Sequence, residues 1–458
     1  MEKIGLRCAR GPVRVASRNR PRWQNRPVTT PIRVGLLGCG IVGAATARIL
    51  LEHADELARR AGSPIELTRV AVRDVTKPRA VALPAGTLTT DAHALVTDPA
   101  IDIVVEVIGG IEPARALLIA AARNKKHIVT ANKELLATLG KEVLGAAETA
   151  GVDLLFEASV AGGIPIIRPM KESLAGDRVQ RVLGIVNGTT NYILTRMSET
   201  GETFAEALGE AGALGYTELD PSADVEGYDA ASKLAILASI AFNARVVAGD
   251  VQREGITQIS VTDMQAAHEL GYEIKLLAVA EQEGGRISAR VHPAMVPKTH
   301  PLASVRDVFN AVFVEGEHAG ELMFLGRGAG GDPTASAVVG DIVEVARNML
   351  TGARSVGCTC YHSDASIRPP GEVRMRYYVV LSVLDQPGVL AAVAGVFARH
   401  TISISSVRQE GFGDEATLLL ITHSGSEGRH AEIFCELEAL PSVKAVTSKM
   451  RVIGTAEG

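Results

Sequence analysis

Hydrophobic positions recur along this chain in short unbroken runs, separated by text of helical period. Ile32 to Leu37 is the first such run, and a glycine-rich turn and Ala-rich helical text to about Arg60 follow it. Leu67 to Val72 closes a unit of strand, helix and strand. Further runs at Ile101 to Ile108, His127 to Val129 and Val152 to Phe156 each border helical text. Strands that are apolar on both sides and alternate with helices predict a mostly parallel sheet covered on both faces.

The spacing loosens between residues 160 and 330, where a long helix is expected near Asp229 to Asn243 and another from Pro333 to Leu350. Gly352, Pro369, Pro370 and Gly371 mark the following stretch as a linker. Beyond it the text returns to a compact order. Tyr377 to Leu384 predicts a strand. Val389 to Arg399 predicts a helix, with Val389, Leu390, Val393, Val396 and Phe397 at helical spacing. Ser403 to Val407, Ala416 to Thr422, Ala431 to Leu440 and Val443 to Val452 complete a ferredoxin-like βαββαβ set.

Charge divides the chain unevenly. Residues 1–30 carry eight Lys/Arg and one acid, Glu2, and the remainder keeps 39 basic and 51 acidic residues, a net charge of −12. An acidic body argues against broad electrostatic binding to nucleic acid. The basic leader lacks apolar periodicity and the long apolar core of a secretory signal. It is expected to be a disordered extension or the product of an early start, with a transit peptide as the alternative. The longest nearly apolar stretch, Leu234 to Phe242, is too short to span a bilayer, so no membrane association is expected. Five scattered cysteines make no disulfide framework and point to a reducing, cytoplasmic compartment.

Chemistry gathers in three places. Gly38, Gly40 and Gly43 follow the first strand and open a helix, with Ile41 and Val42 between them. In such a fingerprint the first glycine makes the turn, the second admits a pyrophosphate and the third permits close helix–strand packing. Arg73 directly follows the second strand and suits a 2′-phosphate, which favours NADPH, while Asp74 keeps NADH open. Glu218, Asp220, Asp224, Glu226 and Asp229 place five acids in twelve residues, with no base until Lys233. Asp229 and Lys233 share a helix face, and the apolar text after Lys233 predicts that it stands at the mouth of a buried helix. Such an acidic cluster suits the ammonium of an amino-acid substrate, although a solvated acidic turn is the ordinary alternative. Lys133 ends the His127 to Val129 strand at the edge where α/β sites assemble, placed to polarise a carbonyl.

Taken together these residues resemble homoserine dehydrogenase, in the monofunctional form with a C-terminal ACT domain, from about Ile32 to Ile453. The resemblance rests on Gly-Leu-Leu-Gly-Cys-Gly-Ile-Val-Gly at 35–43, Thr-Ala-Asn-Lys at 130–133, Glu-Ala-Ser-Val-Ala-Gly-Gly-Ile-Pro-Ile at 157–166 and Asn-Gly-Thr-Thr-Asn-Tyr-Ile-Leu at 187–194. Its strongest part runs from Gly215-Tyr216-Thr217-Glu218 through Asp220-Pro221, Asp224 and Gly227-Tyr228-Asp229 to Lys233. The resemblance implies NAD(P)H-dependent interconversion of L-aspartate 4-semialdehyde and L-homoserine in threonine and methionine biosynthesis. It implies Lys233 as proton donor, Lys133 beside the nicotinamide and substrate, and Glu218, Asp229 and Asp224 as substrate-binding acids. Gly215 and Gly330 are implied to approach the cofactor. A monovalent cation, sodium, is implied at Glu157, Val160, Gly162 and Ile164, mostly through backbone carbonyls.

Asp385-Gln386-Pro387-Gly388-Val389-Leu390 resembles the ligand turn of an ACT domain. Asp385 and Gly388 there would shape free amides for an amino-acid effector, with L-threonine implied, or the module serves pairing alone. A homodimer or homotetramer is expected.

The expected division is a disordered basic extension at 1–31, a Rossmann-like NAD(P)-binding domain at 32–160, an α+β catalytic and dimerisation domain at 161–350, a linker at 351–373 and an ACT domain at 374–456. The Cys358-Thr359-Cys360-Tyr361-His362 stretch reads as linker rather than metal site, because no second cluster completes a tetrahedron. Two rivals remain. A related dehydrogenase for another small amino acid would not need Glu218, Asp229 and Lys233 together. A non-catalytic amino-acid sensor would not keep both lysines.

Overall fold

The computed structural model describes residues 30–217, 219–411 and 415–454. Most of the basic leader, Glu218 and the last four residues lie outside this set. The first sheet is built from β1 (Ile32–Leu37), β2 (Ile65–Ala71), β3 (Leu88–Thr89), β4 (Ile103–Glu106), β5 (His127–Thr130) and β6 (Leu154–Leu155), all parallel in the order β3-β2-β1-β4-β5-β6. Its helices are α1 (Ile41–Glu52), α2 (Ala54–Ala61), α3 (Ala92–Thr97), α4 (Ala114–Arg123) and α5 (Lys133–Ala150). The central strands are apolar on both sides because both faces are covered. Val34 and Val105 pack with α1 and α2, whereas Leu37 and Val104 pack with α3, α4 and α5.

The text from Ile41 to about Arg60, expected as one helix, is two, broken at His53. The halves bury different things. α1 turns small residues, Gly43, Ala44 and Ala47, toward the core, while α2 is amphipathic and buries Leu57 and Ala61. A single straight helix would not present both faces inward.

The second sheet starts with β7 (Val179–Ile185), which leads into α6 (Gly188–Thr200), α7 (Phe204–Ala213), α8 (Ser222–Val225) and α9 (Tyr228–Phe242). After β8 (Gln252–Arg253) and α10 (Val261–Glu269) come β9 (Tyr272–Glu283), β10 (Arg286–Pro297), β11 (Phe309–Gly316) and β12 (Gly320–Arg327). α11 (Gly331–Thr351) then returns to the first sheet, where Val338, Val339 and Ile342 pack with α1 and α2.

The C-terminal module comprises β13 (Arg374–Leu384), α12 (Val389–Arg399), β14 (Ile404–Glu410), β15 (Glu415–Thr422), β16 (Gly425–Ser426), α13 (Glu427–Glu438) and β17 (Val443–Val452). Its four long strands run β17-β13-β15-β14, the ferredoxin-like order expected for this pattern. One side of them closes over α12 and α13, with Val379, Leu381, Val393, Phe397 and Ile433 at the centre. The other side, through Tyr378, Val380 and Ile421, joins the core that contains Met264 and Ala267 of α10. β17 also pairs in parallel with β10, so one sheet runs from β12 to β14.

Residues 351–373, expected as a linker, pack down along the molecule. Asp364 bridges to Arg245 and Ile367 to Ile287. Here the cysteine expectation is corrected, since Cys358 and Cys360 form a disulfide. Their side chains are buried with Tyr361 against Leu144 and Ile240. Cys39 and Cys435 are free thiols.

Candidate active site

Parallel strands bring their C-terminal ends to one edge, and the glycine turn stands there after β1. Gly38 has φ +98, a conformation that side chains rarely adopt. A Cβ at Gly43 would lie 2.3 Å from the Gly38 carbonyl, so the third glycine is needed for the helix to meet the turn. Gly40 caps α1 and has open space where its Cβ would be, leaving its backbone free to meet a phosphate. Ile41 next to it is 80% exposed, a large apolar side chain left bare on the face a nucleotide would cover. Arg73 is exposed just past the end of β2. Gly330 has φ +116 and caps α11, and a Cβ on the following Gly331 would stand 3.1 Å from Ile41. The two glycine turns therefore face each other.

Below this turn the ends of β4 and β5 are fastened together. Glu106 is fully buried, accepts from the Thr130 hydroxyl at 2.6 Å, and accepts from the amides of Ile108 and Gly109. Asn132 caps α5 by accepting from Leu135 N–H and donates to the Gly110 carbonyl. These bonds fix where Lys133 leaves the first turn of α5.

Lys133 Nζ reaches Asp229 Oδ1 at 2.9 Å, and Lys233 Nζ reaches Asp229 Oδ2 at 2.7 Å. The carboxylate is thus held between both candidate lysines. Lys233 also donates to the Val186 carbonyl at 2.7 Å and is 7% exposed. Asn187, the N-cap of α6, donates to Asp229 Oδ2 at 2.9 Å and to Asp224 Oδ1 at 2.6 Å. Burial by itself would raise the Asp229 carboxyl, but Lys233 and then Lys133 outweigh it and hold the group well below the ordinary carboxylate range. Burial pushes the Lys233 ammonium below its ordinary value, opposed by Asp229. Burial raises Asp224, opposed by the Asn187 hydrogen bond. A lysine eased toward proton release beside a fixed anion suits proton donation to a carbonyl oxygen.

Of the expected site residues, the structure gathers Lys133, Lys233, Asp229 and Asp224 around Asn187. Gly215, at φ +75, precedes Tyr216, whose carbonyl accepts from Thr189 in α6. Glu218 lies outside the described residues. Asp220 turns away to bind Ser222.

The expected cation segment lies against the second glycine turn. Gly162 has φ +51, and a Cβ there would stand 2.5 Å from the Gly328 carbonyl. The Glu157 carboxylate is taken up by the amides of Ile166, Ile167 and Arg168. Val160 and Ile164 are buried. Among the described residues the backbone carbonyls of Val160, Gly162 and Ile164 accept no hydrogen bond. Buried carbonyls left over in this way are hard oxygen donors, which fit a monovalent cation. Gly162→Ala is expected to destabilise the fold by about 1–3 kcal/mol, from the positive φ and the contact together. A thermal melt checks this; an unchanged midpoint would contradict the tight approach.

In the C-terminal module, Asp385 to Gly388 form the turn from β13 to α12. Gly388 has φ +92 and caps the helix, and the Asp385 carboxylate accepts from Gln409.

Sequence reasoning assigned no role to Asn187, Glu106 or Asp341. Asn187 carried a signal, since an Asn just before a helix is a favoured cap. Glu106 carried another, as a lone acid in an apolar strand. Asp341 is buried in α11, accepts from Glu157 N–H and Arg168, and is pushed up by burial to about 8.

Comparison with known proteins identifies the family. Family profiles match residues 38–157 (Homoserine dehydrogenase, NAD binding domain), 165–343 (Homoserine dehydrogenase) and 377–441 (ACT domain). The homoserine dehydrogenase of Mycobacterium tuberculosis is 52% identical over 93% of this chain and 98% of its own. The crystal structure of a homoserine dehydrogenase from Thiobacillus denitrificans superposes with a TM-score of 0.88 at 42% identity, covering 93% of this chain and 98% of that one. A hyperthermophilic archaeal homoserine dehydrogenase in complex with NADPH superposes with a TM-score of 0.60 at 27% identity, over 69% of this chain and 98% of that one. The chain belongs to the homoserine dehydrogenase family of NAD(P)-dependent oxidoreductases, in the form that ends in an ACT domain.

Proposed function

We propose that this chain reduces L-aspartate 4-semialdehyde to L-homoserine with NADPH, and runs the reverse reaction, as a cytoplasmic enzyme of threonine and methionine biosynthesis. The observation that carries this is the Asp229 carboxylate held between Lys133 and Lys233 at the N-terminal end of a buried helix. Reducing an aldehyde takes a hydride at carbon and a proton at oxygen. Bound NADPH supplies the hydride. Lys233, its ammonium eased by burial, gives the proton at Nζ. Asp229 and the Val186 carbonyl aim that ammonium, and Asn187 aims Asp229. Lys133 faces the substrate and the nicotinamide from the first turn of α5. Glu218, Asp224 and Asp229 serve the substrate ammonium. Holding these groups in register removes much of the entropic cost of bringing them together.

Gly38, Gly40, Ile41, Val42, Gly43, Gly215 and Gly330 are assigned to cofactor contacts. A sodium ion at Glu157, Val160, Gly162 and Ile164 would brace the segment beside the second glycine turn. L-threonine is the proposed effector at Asp385 and Gly388, and the functional unit is a homodimer or homotetramer.

The test is product identification. Incubation with NADPH and L-aspartate 4-semialdehyde should yield L-homoserine by chromatography, and no homoserine would overturn the assignment. Arg73→Ala should raise KM for NADPH about tenfold and leave that for NADH nearly unchanged, since only the former loses a charge-assisted contact. Equal changes for both cofactors would remove Arg73 from the 2′-phosphate site.

A further inference from the structure

A cavity of about 600 Å³ lies behind the substrate site, between the C-terminal half of α6, helix α10 and strand β9. Its size is that of a small-molecule pocket. The walls carry both signs of charge. Lys275 and Glu273 stand two residues apart on β9, Arg306 lines the cavity together with Glu199, and Glu269 belongs to α10. Lys275 is 3% exposed, and its ammonium donates to the Asn191 side-chain oxygen and the Val305 carbonyl, neither of which carries a charge. Its hydrogen-bond acceptors are neutral, and the cost of burying the charge is opposed by the Glu273 carboxylate first, then by Glu199 and Asp307. Burial pushes Lys275 down to about 8. The Glu273 carboxylate accepts from Ser198 at 3.0 Å, and Glu199 pairs with Arg306 at 2.7 Å at the exposed rim.

We propose that this cavity is a binding site for a free α-amino acid, whose carboxylate meets Lys275 and whose ammonium meets Glu273 and Glu199. A single anion or cation would leave one sign of charge in the lining unmatched, whereas a zwitterion meets both. The site is distinct from the Asp385 to Gly388 turn of the ACT domain, and it is connected to the chemistry by one helical turn. Lys275 bonds Asn191, and Asn187, four residues earlier on α6, holds Asp224 and Asp229. Asn191 also donates to the carbonyls of Asp307 and Phe309, which ties the α6 turn to the start of β11. The opposite wall, α10, supports the ACT sheet through Met264 and Ala267, and Arg408 of that sheet pairs with Glu269 at 2.7 Å. An occupant touching both walls would change the position of α6 against α10, and with it the aim of Asn187.

The test is isothermal titration calorimetry of the full-length protein with L-threonine and the other protein L-amino acids in turn, followed by three variants. Gln265→Trp fills the cavity from an exposed position on α10, and Lys275→Met removes the buried charge. Asp385→Ala alters the ACT turn alone. At least one amino acid should bind the wild type, bind about tenfold or more weakly in Gln265→Trp and Lys275→Met, and bind normally in Asp385→Ala. If Lys275→Met does not fold, Gln265→Trp carries the result. Absence of binding by every amino acid would overturn the proposal. So would the result that every amino acid that binds keeps its affinity in Gln265→Trp, or loses it in Asp385→Ala, as an occupant of the ACT turn alone would. Homoserine formation by the wild-type protein with no amino acid added separates a failure of this site from a failure of the proposed reaction.

Discussion

Lys233→Ala is expected to lower kcat for semialdehyde reduction by about 10²–10⁴-fold while NADPH still binds with near wild-type affinity. The range is what a positioned proton donor contributes. Lys233 touches no part of the glycine turns, so the loss should fall on the chemical step and not on the cofactor KM. Removing the side chain also leaves a gap at the head of α9 and deprives the Val186 carbonyl of its donor. Lys233→Met, which fills the volume without the charge, separates the two effects. An activity restored by methionine would make Lys233 a packing residue, and an activity still lost assigns it to proton transfer. Stopped-flow measurement of a single turnover, with cofactor binding followed by NADPH fluorescence, provides both readings.

Asp229→Asn is expected to lower kcat/KM by about 10–10²-fold and to move the pH profile of reduction. The direction follows from the charges. Reduction needs Lys233 protonated, so its rate falls as pH rises through the lysine pKa. Burial lowers that pKa and the Asp229 carboxylate raises it. Without the carboxylate, Lys233 and Lys133 face each other with less compensation, and the basic limb of the profile should move to lower pH. A profile that stays in place while the rate falls would mean that Asp229 serves only the substrate ammonium.

Much of this site was legible because its signals are local. The strand, glycine turn and helix from Ile32 follow from an apolar run and three small residues, and the Gly38–Gly43 contact gives the physical reason for the spacing. Asp229 and Lys233 share a face because four residues make one helical turn, and the structure pairs them. The C-terminal module was legible in its alternating and helical periods. Contacts across long separations left no such trace. Lys133 meets Asp229 from another domain, and Asn187 reaches acids 37 and 42 residues away. The break at His53 was hidden too, because no Gly or Pro marks it; the change of buried face that requires it depends on α11, nearly 300 residues on. The Cys358 to His362 stretch was read as linker, since two cysteines two apart say nothing of the enclosure in which they pair.

The most direct measurement is the initial rate of NADPH oxidation by the full-length protein with L-aspartate 4-semialdehyde, run beside Lys233→Ala. Rapid, saturable turnover in the wild type that collapses in the variant is the predicted result. A folded wild-type protein that binds NADPH and turns over no semialdehyde, or a variant that keeps its rate, would contradict the assignment of the Lys133–Asp229–Lys233 constellation to this reaction.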